Sequence, residues 1–320
     1  MRISSPIYGK FDITEPVLIE LLKSPAVLRL KKISQYGVPD KYYEFPGYSR
    51  YIHSIGVMLL LRKLDASIEE QAAGLLHDVS HFAFSHVADW VFADGNKGRE
   101  DYHDSLHKRF VLETEIPQIL AKHGLNIERI LDESNFTLLE NDLPDVCADR
   151  FDYSIQEIYL YFDKKTVPLY LAAIKNYDGK IVFTEKEPAL AFAKDFLRLN
   201  VGHWGADNPI TRYYDFSEIL KECLKKQIID KRDFNGTEEI LLKKIESSSD
   251  PDISQRLKLL AKRSYCQVRQ KRGVRIQKKF RYVDPAVLID GKLIKVTEIY
   301  PDFKEKLDFE REKNSKGIIV

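Results

Sequence analysis

The chain is poor in cysteine, in net charge and in long apolar runs. Cys147, Cys223 and Cys266 are the only cysteines in 320 residues. Three widely spaced thiols argue against a disulfide framework and against a cysteine zinc site, and fit a reducing compartment. Fifty Lys and Arg against 49 Asp and Glu leave a net charge of +1, so the whole molecule has no general electrostatic pull toward nucleic acid or a membrane. No apolar run approaches the roughly 20 residues that a bilayer-spanning helix needs, and the start, Met1 to Pro6, lacks the apolar segment of a signal peptide. A cytoplasmic protein without membrane contact is the expectation. Internal repeats and low-complexity linkers are also absent.

What is present is an ordinary globular composition, 44% hydrophobic and 31% charged, with a helical period. Apolar residues recur near every 3.6 positions over 51–64, 67–78, 82–93, 101–112, 114–123 and about 144–160, and again over 187–203, 214–228, 236–246 and 251–264. The fold is therefore expected to be mainly α. Small β elements are expected at the N-terminus (Ile7 to Ile13), near 175–185, where Asp178-Gly179 makes a tight turn, and in the C-terminal region. There Val274 to Gln277 alternates in polarity and Asp290-Gly291 separates two apolar runs. The charged end, Glu310 to Gly317, is expected to fray. Two regions are expected, 1–170 and 171–320.

The residues that carry chemistry are concentrated. His77-Asp78 ends the apolar run Ala72-Ala73-Gly74-Leu75-Leu76, offering a neutral nitrogen and an anionic oxygen to one point. His53 lies upstream and Asp149 downstream, completing an H…HD…D pattern of metal-ligand types. Five of the eight histidines, His53, His77, His81, His86 and His103, fall between positions 53 and 103. His77 and His81 share a helical face if the helix continues that far. His86 and Asp89 have the spacing of a carboxylate that orients an imidazole. Asp149, Tyr153 and Glu157 recur every four residues and share a face. His107, His123 and His203 read as hydrogen-bonded core residues, and Cys147 as a small buried hydrophobe.

Several segments resemble one family. Ser5-Pro6-Ile7-Tyr8-Gly9 is similar to a D-P-I-H-G opening. Pro25 to Gly37, ending Ile33-Ser34-Gln35-Tyr36-Gly37, is similar to P-x-x-Q-R-L-R-R-I-x-Q-L-G. Arg50-Tyr51-Ile52-His53-Ser54-Ile55-Gly56-Val57 resembles R-F-E-H-S-L-G-V. The run from His77 to His86 resembles H-D-L-G-H-G-P-F-S-H, Asp149 to Tyr153 resembles D-K-W-D-Y, and Arg281 to Pro285 resembles a segment near the family's C-terminus. The chain so resembles the HD-domain metal-dependent phosphohydrolases, and among them the deoxynucleoside triphosphate triphosphohydrolase branch that includes the sterile-alpha-motif and HD-domain protein.

The resemblance implies an HD-domain helical bundle, with the catalytic core in 1–170 and the remainder packed on it. It implies one divalent transition metal (Fe, Mn, Zn, Ni or Co) held by His53, His77, Asp78 and Asp149, with Mg able to accompany the substrate phosphates. His81, His86 and His103 would line the phosphate path, with Asp89 orienting one of them. Gln35, Tyr36, Arg50, Arg150, Tyr153 and Glu157 would contact a nucleotide substrate, and the chain would form a homo-oligomer. Departures from the family pattern fall at Tyr36, where the family has leucine, and at Ser80, Ala83 and Glu157. The loop before Arg50 is two residues shorter than P-G-A-S-H-N-R. Residue chemistry alone supports hydrolysis of a phosphate ester or anhydride: a metal polarises the phosphoryl oxygen, histidines move protons and arginines neutralise charge.

A dNTP triphosphohydrolase is the leading expectation. A nucleoside monophosphatase or cyclic-nucleotide phosphodiesterase is an alternative, as is a non-enzymatic nucleotide or nucleic-acid binding protein. The last draws on the stretch Arg256 to Arg281, which has eleven Lys or Arg and no acidic residue in 26 positions and leaves nucleic acid open as a partner.

Overall fold

A computed structural model describes residues 1–93, 104–269, 272–277 and 279–320. His103 lies outside these residues. The architecture is mainly α with small strands. Its centre is the Arg50–Lys63 helix, packed between the Ile68–Leu76 and Ala148–Tyr161 helices. The Pro16–Lys23 and Lys186–Leu199 helices close the bundle from outside.

Local chemistry accounts for the starts of these helices. The Ser49 and Ser67 side chains accept hydrogen bonds from the Ile52 and Glu70 backbone N–H groups, capping two of them. Glu69 and Glu70 complement the N-terminal dipole of the second. Gly74 lets the first two helices cross closely, because a Cβ there would lie 2.4 Å from Leu61 Cδ1. Val57, Leu60, Leu61, Leu75 and Phe151 are fully buried in the core this creates.

Both Asp-Gly turns are found as expected. Asp178 and Gly179 have φ of +49° and +75°, and Asp290 and Gly291 +49° and +78°, the left-handed pair that a two-residue hairpin requires. The hairpins Ile174–Tyr177/Lys180–Phe183 and Ala286–Ile289/Lys292–Lys295 join into one four-stranded sheet by a parallel contact at Phe183 and Val287. The alternating segment near 275 contributes only Arg275–Ile276, paired with Ile318–Ile319.

Two local expectations fail. The helix expected over 82–93 forms only as Val87–Phe92, and the preceding helix stops at Leu76. The connecting turn has Phe84 and Ser85 at positive φ (+68° and +43°). Tertiary hydrogen bonds hold it: Ala83 N–H donates to Phe234 O (2.8 Å), Phe84 N–H to Glu238 Oε1 (3.2 Å), and Arg29 donates to Val79 O (2.9 Å) and His81 O (2.7 Å). These bonds outweigh the local helical period. The C-terminal segment does not fray but forms the Pro301–Ser315 helix, started by Pro301 and anchored by buried Phe303 and Leu307.

Candidate metal centre

Three helices deliver the donors. The first turn of the Arg50–Lys63 helix carries His53, His77 is the C-cap of the Ile68–Leu76 helix, and the first turn of the Ala148–Tyr161 helix carries Asp149. One donor atom from each lies within 4.8 Å of the other two. His53 Nε2 stands 3.2 Å from His77 Nε2 and 2.8 Å from Asp149 Oδ1, and His77 Nε2 is 3.4 Å from the same oxygen. Donors sharing an ion at about 2.1 Å are separated by roughly 3.0–3.4 Å in octahedral or tetrahedral geometry, so the spacing fits one metal. The Asp78 oxygens reach to 3.7 Å from each of the two Nε2 atoms.

The far sides of the imidazoles select the tautomer. His53 Nδ1 faces Asp152 Oδ2 at 2.7 Å, and His77 Nδ1 faces Gly74 O at 2.7 Å. An Nδ1 proton suits each of these acceptors, so Nε2 is the nitrogen that each ring can give to a cation once its own proton is displaced. Burial disfavours charge on these rings, but the carboxylates Asp149 and Asp152 around His53, and Asp78 and Asp149 around His77, raise them to about 10 and about 9. Despite burial, Asp78 is held well below the usual carboxylate range by Arg50 and the histidines. The anionic field that attracts protons here also attracts a divalent cation, which displaces them on binding.

His81 is not on a shared helical face with His77, because the chain has left the helix. The turn nevertheless sets His81 Nε2 3.2 Å from Asp78 Oδ1. His86 stacks edge-on against it, with ring centroids 5.0 Å apart, and pairs through Nδ1 with buried Asp89 at 3.0 Å. Arg50 is fully buried. It donates to Asp78 Oδ2 (2.6 Å), Ser85 Oγ (2.7 Å) and Gln35 O (3.5 Å), tying the turn to Asp78.

Beside His86 an aromatic cavity of about 120 Å³ is lined by Gln35, Tyr36, Tyr43, Tyr153, Trp204 and Tyr213, among others. A cavity of ~150 Å³ can bind benzene, so this one has room for about one ring. The Gln35 Oε1 atom is buried and has no hydrogen-bond partner among the described residues. Tyr36 is fixed by a 2.7 Å bond between its hydroxyl and that of Tyr161, which in turn donates to Pro46 O at 2.7 Å. Tyr153 packs edge-on against Trp204, with centroids 5.3 Å apart.

Two of the expected substrate contacts are committed to protein partners, although Glu157 also lines the cavity. Glu157 is enclosed: His203 Nδ1 donates to Oε2 (2.6 Å) and Trp204 Nε1 to both oxygens (2.9 and 3.0 Å). His203, expected as a core residue, stands between Glu157 and Tyr43, whose hydroxyl is 3.1 Å from Nε2. A π-helical turn, Asn200–Trp204, brings His203 and Trp204 there. Arg150 spends its guanidinium on Asp145 O, Asn141 O, Glu140 and Cys147 Sγ at 2.8–3.1 Å. Among the described residues it makes no hydrogen bond to His53, His77, Asp78 or Asp149. Glu140, Cys147 and Asp149 also lie close enough to hold an ion, but Arg150 already supplies a cation to Glu140 and Cys147. Asp152 was missed as a site residue, although it stands three residues beyond Asp149 on the same helix.

Three arginines of the basic stretch are paired with carboxylates. Arg256 pairs with Asp252, Arg269 with Asp215, and Arg272 with Asp215 and Glu218. No helix among the described residues is long and apolar enough to cross a membrane.

The HD domain family matches residues 50–154, the segment that contains His53, His77, Asp78 and Asp149. The uncharacterized protein YdhJ of Bacillus subtilis is 35% identical over 100% of this chain and 98% of its own. The metal-dependent phosphohydrolase cns2 of Cordyceps militaris is 32% identical over 70% of this chain and 66% of its own. The chain belongs to the HD-domain metal-dependent phosphohydrolases. It is an enzyme of that family, and a divalent metal is its cofactor. The deoxynucleoside triphosphate triphosphohydrolase SAMHD1 homolog of Dictyostelium discoideum is 22% identical over 91% of this chain and 61% of its own. The fold is shared with a hypothetical protein from Aquifex aeolicus, at a TM-score of 0.64 and 21% identity over 95% of this chain and 93% of that one. None of these names supports a nucleic-acid role for the basic stretch.

Proposed function

We propose that this HD-domain phosphohydrolase acts on nucleotides, and that its substrate is a deoxynucleoside triphosphate, split into nucleoside and triphosphate. The observation that carries the reading is the junction of the ligand set with an aromatic cavity sized for one ring, through the His81–His86 pair. Phosphates belong at the metal end and the base or sugar at the aromatic end. The relationship to the Dictyostelium triphosphohydrolase favours the triphosphate.

His53, His77, Asp78 and Asp149 hold the ion, with Fe, Mn, Zn, Ni or Co suited to two nitrogens and two carboxylates. When bound, the ion supplies Lewis-acid polarisation of a phosphoryl oxygen. His86, oriented by Asp89, donates a proton to the departing oxygen, and His81 and His103 hold the phosphate path. Arg50 positions Asp78 and places a fixed cation beside the phosphates. Buried Gln35 Oε1 accepts a hydrogen bond from the substrate, Tyr36 and Tyr153 wall its ring or sugar, and Glu157 acts through His203. Arg150 acts on the phosphates through the loop it braces. The enzyme works as a homo-oligomer in the reducing cytoplasm.

A nucleoside monophosphatase is the second reading, because cns2 is more similar than the Dictyostelium protein and its name specifies no triphosphate. Metal analysis and a panel of dNTPs, NTPs and monophosphates, scored by released product, separate the two. Triphosphate release supports the first reading and orthophosphate from monophosphates the second. No turnover of any nucleotide with Mn, Fe, Co, Ni, Zn or Mg overturns both.

A further inference from the structure

The metal centre extends beyond its ligands into the N-terminal hairpin, Arg2–Ser5/Gly9–Asp12. Asp152 is completely buried behind His53. Its Oδ2 accepts from His53 Nδ1 at 2.7 Å, while its Oδ1 accepts from the Tyr8 hydroxyl at 2.6 Å and, more weakly, from Gln156 Nε2 at 3.4 Å. The carboxylate is boxed in. Gly56 faces it so closely that a Cβ would stand 2.0 Å from Oδ1, so no larger residue fits there without moving Asp152.

Tyr8 is itself aimed by its own turn. The Ser5 side-chain oxygen accepts from the backbone N–H groups of Ile7 and Tyr8, both at 3.2 Å, and Ile7 is buried in the core. Burial and the neighbouring Asp152 hold the phenol well above its ordinary pKa, so it stays a donor at any physiological pH.

We propose that Tyr8 is a positioning residue of the metal centre: its hydroxyl pins Oδ1 of Asp152, so that Oδ2 holds the His53 Nδ1 proton and directs Nε2 at the metal. The chain Tyr8–Asp152–His53 thus joins residues 144 and 99 positions apart in sequence into one support. Outer partners of ligating histidines typically change metal affinity by about 10–100-fold, and the Tyr8 hydroxyl, one step further out, belongs at the lower end of that range.

The inference rests on His53 being a metal ligand. The test is Co²⁺ titration of the metal-free protein, followed by calorimetry and by the visible absorption of bound Co²⁺. Tyr8→Phe keeps the ring and removes only the hydroxyl. It is expected to weaken Co²⁺ binding about tenfold, with thermal unfolding in chelator little changed. Asp152→Asn is expected to weaken binding at least as much, and adding Tyr8→Phe to it should cost nothing further, because the hydroxyl acts through Asp152. Co²⁺ affinity in Tyr8→Phe within twofold of wild type, or a full extra loss in the double variant, overturns the inference. If wild type binds no Co²⁺, or if Asp149→Ala leaves binding intact, the metal-ligand reading itself falls. Intact wild-type binding lost in Asp149→Ala but unchanged in Tyr8→Phe sinks only the role of Tyr8.

Discussion

Glu238 offers a pH-dependent test of how the turn beside the metal centre is held. Its Oε1 accepts from Ser34 N–H at 2.8 Å and Phe84 N–H at 3.2 Å, tying the turn that carries His81 and His86 to the segment leading to Gln35. Burial pushes this carboxyl from 4.5 up to about 7, although the two backbone donors pull the other way. A folded-state pKa above the unfolded value means that the neutral form is the one the fold prefers. The associated stability is complete below pH 4.5, falls as pH rises through 7, and is gone above it. A carboxyl raised from 4.5 to about 7 corresponds to about 3 kcal/mol. Glu238→Gln keeps an oxygen for both N–H groups and cannot ionise. It should match wild type at pH 4.5 and be more stable by up to about 3 kcal/mol at pH 8.5. With about 2.1 cal/mol/K of unfolding entropy per residue, the 320-residue chain should then melt about 4–5 °C higher at pH 8.5. Calorimetric scans of both proteins across this range check it. A Glu238→Gln protein that is less stable than wild type at pH 8.5, or whose advantage does not grow with pH, refutes the argument that burial dominates.

Asp149→Ala should lose stoichiometric metal by elemental analysis and at least about a thousandfold in turnover while retaining its circular dichroism, since Asp149 is the carboxylate shared by both imidazoles. His203→Ala should raise KM about tenfold with a smaller change in kcat, because it opens the aromatic end and not the ligand set; steady-state kinetics on the preferred nucleotide decide. Arg29→Ala should destabilise the protein by about 3 kcal/mol or more in denaturant titration. It strips the donor from four backbone carbonyls, Val79, His81, Asn235 and Gly236.

Much of the architecture was legible because it is local. Asp-Gly between apolar runs leaves few options but a hairpin, and both hairpins formed. The segments 51–64 and 67–78 formed helices as expected, and both are buried all round, Val57 to Leu61 in the first and Gln71 to Leu76 in the second. The turn from His77 to His86 was misread for the opposite reason: its apolar residues follow a helical period, but Phe234, Glu238 and Arg29 supply its hydrogen bonds from distant segments. Periodicity cannot register a partner about 150 residues away. The Pro301–Ser315 helix was hidden by its charge, since Phe303 and Leu307 are its only buried apolar residues.

The candidate site divides in the same way. Residue type and clustering singled out His53, His77, Asp78 and Asp149, because few other roles call for that combination at helix ends. They could not reveal that Glu157 is enclosed by His203 and Trp204, or that Arg150 braces its own loop. From sequence alone the chain determined a mainly helical frame, its hairpins and the chemical types available for metal binding, all set by short-range sterics and side-chain chemistry. Only the tertiary structure decided which side of each imidazole faces a carboxylate, and that Tyr8, Asp152 and His53 form one line. Hydrogen-bond direction depends on positions accurate to a few tenths of an ångström between segments that meet only when the core has packed.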